Sequence, residues 1–263
     1  MGVNKLTKEE LNNIEKQEKV YNFLLTPIKD FKNIANNKKY ITTAQRYKNN
    51  FDPDMSDVAV YFYKIIYGLD ILDNNGWLKD KNFAGDTMCS FNTIANRVKG
   101  AGISKKQRTE YKEWPDFLKN YYDFHHCLAN FWLLPKQVGR SYPTMKEKYK
   151  LLSKSKSGFN DYMDRFLEFL KNDNSFENFI TEFELYGKKF GNFKTFVDSH
   201  YLRGEDNFVS EKYLVNSFSK SGTPEEIVLS MEKKIRERAK VISSQNELCD
   251  KLYNLCNELD CSK

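Results

Sequence analysis

The sequence predicts an all-α or nearly all-α protein, a helical bundle-like body with a long C-terminal helix. Three observations lead there. Only 12 Gly and 6 Pro punctuate 263 residues, too few for the turns of a many-stranded sandwich. Capping sequences recur just ahead of apolar residues spaced three and four apart. The chain also carries 20 Phe and 16 Tyr, a core-building stock that disordered chains lack. The elements divide into an N-terminal helix and connecting segment (1–51), a helical core domain with basic loops (52–222) and the long C-terminal helix packed on that core (223–263).

Taken in order, Thr7-Lys8-Glu9-Glu10 is a capping box. The hydroxyl accepts from the third helical amide and the carboxylate reaches back. Leu11, Ile14, Tyr21 and Leu24–Leu25 then form the apolar stripe of a helix over 8–25. Residues 26–50 read as helix plus loop. Asp52-Pro53 supplies a cap and a first-turn proline for a helix carrying Val58, Tyr61, Phe62, Ile65, Ile66 and Leu69, which ends near Gly68. Asp73-Asn74-Asn75-Gly76 is a turn. A helix is expected to begin at Asp86 within GDTMCSFNT (85–93), followed by an exposed basic loop. Another opens at Glu113-Trp114-Pro115 and runs through FHHCLANFWLLP (124–135) until Pro135 stops it. Residues 136–157 read as a basic loop, and helices follow near 160–170, 176–190 and 192–202.

The C-terminal element has the clearest pattern. Thr223-Pro224-Glu225-Glu226 gives a cap, a first-turn proline and two acids at the positive end of the helix dipole. A seam of Val228, Met231, Ile235, Arg238, Ile242, Gln245, Cys249, Leu252, Cys256 and Leu259 continues without Gly or Pro. It predicts one helix of more than thirty residues, serving as the spine of the domain or, alternatively, as a homodimer coiled coil.

The net charge of +6 is unevenly placed. Segment 136–156 sums to +6 and segment 97–112 to +5, leaving −5 for the remainder. A basic middle on an acidic body points to a polyanionic partner. No apolar run approaches the roughly 18 residues that cross a bilayer, and the charged N-terminal stretch is not a signal peptide. Gly2 is followed by Leu6, where a myristoylation motif wants Ser or Thr. A cytoplasmic protein is the expectation. Cys89, Cys127, Cys249, Cys256 and Cys261 form no C-x-x-C pair, so neither a disulfide framework nor a zinc knuckle fits, and buried thiols are expected.

His125-His126 beside Cys127 suggests metal at first sight. Adjacent helical residues point about 100° apart, whereas chelating pairs sit at i,i+3 or i,i+4, so no metal site is assigned. No arginine stands four to six residues ahead of any histidine, which removes the R-x4–6-H signature of HEPN ribonucleases. For an HNH-type finger, His126 and Asn130 supply a water-activating and an orienting residue, but the third position falls near Lys148–Lys150, which cannot ligate.

GDTMCSFNT, HHCLANFWLLP, DYMDRFLEFL, KFGNFKTFVDSHYL and IRERAK together resemble an uncharacterised bacterial protein family. Its members carry GDTMxSF, H-x-x-x-N-F-x-L-L-P and I-x-x-R-A segments in that order. The LLP segment is more distantly similar to HNH-containing defence nucleases. The resemblance touches Asp86, Thr87, Ser90, Phe91, His126, Asn130, Pro135, Arg140 and Arg238. It departs at Ala129, where the pattern has glycine, and at Gln137–Gly139, where it has asparagine. It implies bacterial or phage origin and a part in phage–host conflict. The same residues have a structural reading, with Asp86 and Ser90 at a helix start and Asn130 satisfying open carbonyls at a helix end. The alternative is a shared polar site of Asp86, His126, Asn130 and Arg140.

The leading expectation is a protein that binds RNA, DNA or a nucleoprotein. Arg97, Lys105, Lys106, Arg108, Lys136, Arg140, Lys146, Lys148, Lys150 and Lys154 would meet phosphates while Tyr111, Tyr142 and Tyr149 stack on bases. One alternative is a metal-assisted nuclease with Asp86, His126 and Asn130 as catalytic residues, the only reading that needs a cofactor, a divalent ion. The other is a non-enzymatic inhibitor that binds protein through its aromatic surface.

Overall fold

The computed structural model describes residues 7–31, 53–68, 83–95, 97–98, 111–135, 162–171 and 190–259. Among these residues the protein is mostly helical, with eight helices and one small two-stranded sheet. It is therefore helical but not purely all-α. The turn expected at 73–76, the helix expected over 176–189 and the basic loops expected at 99–110 and 136–157 fall outside the described residues.

Helix α1 (Lys8–Leu25) begins at the expected capping box, with Thr7 Oγ1 accepting from the Glu10 amide at 3.2 Å and Glu10 accepting from the Thr7 amide at 2.7 Å. Its last turns bury Val20, Phe23, Leu24 and Leu25. A 3-10 turn at Ile28–Asp30 follows. Helix α2 (Asp57–Tyr67) starts later than Asp52-Pro53 suggests. Pro53–Met55 form a 3-10 turn, and Ser56 is the cap, its hydroxyl accepting from the Ala59 amide at 3.2 Å. Gly68, at φ 93°, ends α2 in a conformation that a Cβ disfavours.

The two motif segments are where the helical expectation fails. Phe83–Thr87 is strand β1, and the helix expected at Asp86 appears only as the short α3 (Phe91–Ala95). Helix α4 (Asp116–Phe124) stops eleven residues before Pro135, at Phe124. A 3-10 turn at Leu128–Asn130 then leads into strand β2 (Phe131–Pro135). β1 and β2 pair antiparallel with Phe83 opposite Pro135, Asp86 opposite Trp132 and Thr87 opposite Phe131. The physical reason lies in Phe-Trp-Leu-Leu, a four-residue apolar run. Once buried on both faces, such a run loses the alternation that marks a strand, and periodicity cannot separate it from buried helix. Its aromatic residues favour the pleated geometry.

Helices α5 (Met163–Lys171) and α6 (Phe193–Ser199) follow. Residues 200–222 form an irregular stretch, fixed by bridges from Val209 to Arg203 and to Val215. The C-terminal segment is two helices, α7 (Pro224–Ser243) and α8 (Asn246–Glu258). One continuous helix was expected. The break occurs without Gly or Pro. Ser243 Oγ donates to the Lys240 carbonyl and Ser244 Oγ to the Val241 carbonyl, at 3.2 and 2.9 Å. These side-chain bonds compete with the helical ladder, and Gln245 turns extended and exposed.

The seam from Val228 to Cys256, Gln245 apart, is buried inside the protein's own core. That face is therefore not open to a coiled-coil partner copy. α1 lies against both α7 and α8, and α7 also packs on α3 and α4. Lys16 pairs with Asp250, and Lys19 Nζ donates to Asn257 at 2.7 Å. Among the described residues no helix is long and apolar enough to cross a membrane.

Candidate functional site

Asn130 joins the two motifs. It is fully buried in the turn before β2. Its Oδ1 accepts from the Cys89 amide at 2.9 Å, and its Nδ2 donates to the Cys89 carbonyl at 3.1 Å and the His125 carbonyl at 2.7 Å. The Asn130 carbonyl accepts from the Met88 amide at 2.8 Å, extending the β1–β2 ladder past its last paired residue. Tyr121 Oη, from α4, donates to the same Cys89 carbonyl at 2.7 Å. Both carboxamide N–H donors are thus engaged with backbone, and the side chain works as a clip between GDTMC and HHCLAN.

The neighbouring candidates are also buried. Asp86 sits in β1 directly across from Trp132. Its charge lies near Tyr63, whose hydroxyl is pushed well above the usual phenol range, first by burial and then by the charges of Asp54, Tyr67 and Asp86. Gly85 explains why a glycine precedes that aspartate. A Cβ there would fall 2.0 Å from the Asp54 carbonyl oxygen and 2.6 Å from Tyr63 Oη. Tyr63 Oη donates to the same carbonyl at 2.8 Å. His126 stacks against His125 with ring centroids 3.8 Å apart and faces Phe131 at 6.3 Å. Its carbonyl accepts from the Ile28 amide at 2.9 Å, fastening the turn after α1. His125 Nδ1 lies 2.8 Å from the Tyr122 carbonyl, and its ring packs on Phe91 and Tyr121. Burial pushes the Cys127 thiol up to about 12, so it is a protonated, inert side chain at neutral pH.

Arg238, which the sequence placed in a mostly apolar seam, reaches the same junction from α7. It is fully buried. Nη1 donates to the Ala129 and Phe131 carbonyls, each at 2.8 Å, on either side of Asn130. Nε donates to the His200 carbonyl at 2.8 Å. Desolvation lowers its pKa, opposed by the surrounding Tyr67, Tyr63, Tyr201 and Cys127. His200 is buried among Tyr67, Trp132, Phe190 and Phe196. Burial holds its pKa down to about 3, so it is neutral at physiological pH. Together these groups satisfy backbone carbonyls in the buried interior.

Of the candidate phosphate contacts, Arg97 is the one the structure describes. Lys105, Lys106, Arg108, Lys136, Arg140, Lys146, Lys148, Lys150 and Lys154 lie outside the described residues, so Arg140 cannot be placed relative to Asp86, His126 and Asn130. The described residues taken together are net acidic, and the excess positive charge therefore resides in the others. The far end of segment 97–112 rests on an aromatic cluster through Tyr111. Phe91 of α3 stacks on Trp114 at 5.5 Å and meets Tyr122 at 5.0 Å, and Tyr111 packs on both Trp114 and Tyr122. Segment 136–156 follows directly on β2, and the chain is next described at Tyr162, bridged to Cys89.

Sequence reasoning missed Tyr121 and Tyr162 as anchors, and it missed Asp164. The Asp164 Oδ2 accepts from the Phe218 and Ser219 amides, both at 3.0 Å, and from Ser219 Oγ at 2.9 Å, which pins the chain ahead of α7. An aspartate in FNDYMDRF carries no local signal for a partner more than fifty residues away. Among the described residues no group of three or more His, Cys, Asp or Glu side chains is arranged to hold a metal ion. Comparison of the chain with protein-family models, with curated proteins and with solved structures gives no match in any of the three.

Proposed function

We propose that the protein binds nucleic acid, alone or within a nucleoprotein, through segments 97–112 and 136–156 carried on a helical frame. The observation that supports this most is the segregation of charge. The described frame is net acidic, while the two segments sum to +5 and +6. Counterion release from phosphates rewards such a concentration of cations and repels the same ligand from the frame. Further support comes from the motif residues. With both Asn130 donors engaged on backbone carbonyls, that side chain has no N–H left to orient an attacking water. This weighs for a binding protein over a metal-assisted nuclease using Asp86 and His126.

The experiment is a gel shift with single-stranded and duplex RNA and DNA. The wild-type chain retards at least one of these ligands. The variant carrying Lys146→Glu, Lys148→Glu, Lys150→Glu and Lys154→Glu, eight charge units more negative, loses the shift. Equal retardation by both proteins removes the proposal. Divalent-dependent cleavage abolished by His126→Ala would restore the nuclease reading.

A further inference from the structure

Three of the N–H donors of the Arg238 guanidinium are spent on backbone, Nε on the His200 carbonyl and Nη1 on the Ala129 and Phe131 carbonyls. Nη2, which carries two more, is buried and has no hydrogen-bond partner. Beside it is Tyr67, the last residue of α2 and 2% exposed. Burial pushes the Tyr67 hydroxyl up, and the neighbouring guanidinium pulls it back. The two groups nevertheless share no hydrogen bond, and Tyr67 Oη has no other partner. Neither side chain is free to turn away. Arg238 is held by its three carbonyls, and the Tyr67 ring packs against Tyr63 at 6.2 Å, Phe190 at 5.9 Å and His200 at 5.1 Å.

Charge makes this more than a pair of orphaned donors. The groups that bear most on the Arg238 charge are Tyr67, Tyr63, Tyr201 and Cys127. Burial holds each of them in its neutral, protonated form. None of the ion pairs among the described residues includes Arg238. A buried cation without a counter-charge is costly to desolvate, and an anion placed against it offsets that cost. We propose that Arg238 Nη2 and Tyr67 Oη form a buried binding site for one monovalent anion of the halide class, to which both donate. A divalent oxyanion does not suit the site, because it brings a second charge and more acceptor oxygens than these donors fill. Since the site is enclosed, the anion binds the native chain and not the unfolded one, and it stabilises the fold by mass action. The inference is independent of nucleic-acid binding.

The test follows urea unfolding of wild type and Tyr67→Phe while potassium chloride replaces potassium glutamate at constant ionic strength. Tyr67→Phe keeps the buried charge and the three carbonyl bonds of Arg238, and it removes one donor. Once chloride exceeds its dissociation constant, each tenfold rise lowers the unfolding equilibrium constant of wild type about tenfold. Tyr67→Phe needs about tenfold more chloride for the same effect, the worth of one hydrogen bond to a charged group. General effects of chloride on the surface act on both proteins alike, so the difference between them reads the site. Wild-type crystals grown in bromide should in addition show an anomalous peak within hydrogen-bonding reach of both atoms. The same chloride dependence in the two proteins, or none in wild type, overturns the inference. So does an ordered water at that position in the bromide crystals, or a direct Tyr67–Arg238 hydrogen bond with no anion beside it.

Discussion

At the scale of single residues, Asn130 and Arg238 do in the interior what regular secondary structure does elsewhere. The chain between α4 and β2 is irregular and buried, so its amides and carbonyls need partners that no ladder supplies. Asn130 satisfies one amide and two carbonyls, and Arg238 satisfies three carbonyls. Replacing Asn130 with Ala would remove its bonds to the buried Cys89 amide and His125 carbonyl, while the Cys89 carbonyl keeps Tyr121 Oη. We expect a loss of about 2 kcal/mol in urea unfolding, since each buried hydrogen bond lost costs on the order of 1 kcal/mol or more. Asn130→Asp keeps an acceptor for the Cys89 amide but sets a carboxylate against the Cys89 and His125 carbonyls, so it should be at least as damaging. A purely catalytic Asn130 would instead tolerate both changes with stability intact, and the unfolding midpoint separates the two cases.

At the scale of elements, the β1–β2 pair is the device that brings the two motifs side by side. Its tightest point is Gly85, under the Asp54 carbonyl and Tyr63. Gly85→Ala forces a methyl group into backbone, and the strand pair or the Pro53–Met55 turn must move. Overpacking of this kind costs about 1–3 kcal/mol, and near-ultraviolet dichroism from the adjoining tyrosines and Trp132 should weaken with it. A melting temperature equal to wild type would mean that the approach is looser than described. The caps at Thr7 and Thr223 were legible from sequence because a capping box is a local arrangement, complete within four residues. The helix end at Gly68 was legible for the same reason. The strands were not, because Phe-Trp-Leu-Leu looks alike in either conformation until its partner is known. The break at Ser244 escaped because serine competes for helix carbonyls without forbidding helix. The two motif segments do meet in space, through the β1–β2 pair and Asn130. That Asn130 is bound to backbone, and that Arg97 bonds to Tyr162, depends on residues 41 and 65 positions away, beyond anything a local pattern carries.

At the scale of the whole molecule, the protein combines a tightly closed interior with a lopsided distribution of charge. The four described cysteines are buried, and the C-terminal seam faces inward. The Asn130 side chain, one of the polar groups that first suggest a reaction centre, holds backbone together. The proposed function rests on the contrast between an acidic described frame and two cationic segments, and that contrast makes a quantitative demand. If about six of those cations meet phosphates, the affinity must fall by about a thousandfold between roughly 50 and 200 mM salt, with a logarithmic slope near −5 for duplex DNA and near −4 for a single strand. The most direct measurement is therefore the dissociation constant of the wild-type chain for a labelled oligonucleotide across that salt range. A steep linear decline of this size is the predicted result. Binding that stays constant as salt rises, or no binding at the lowest salt, would contradict the account.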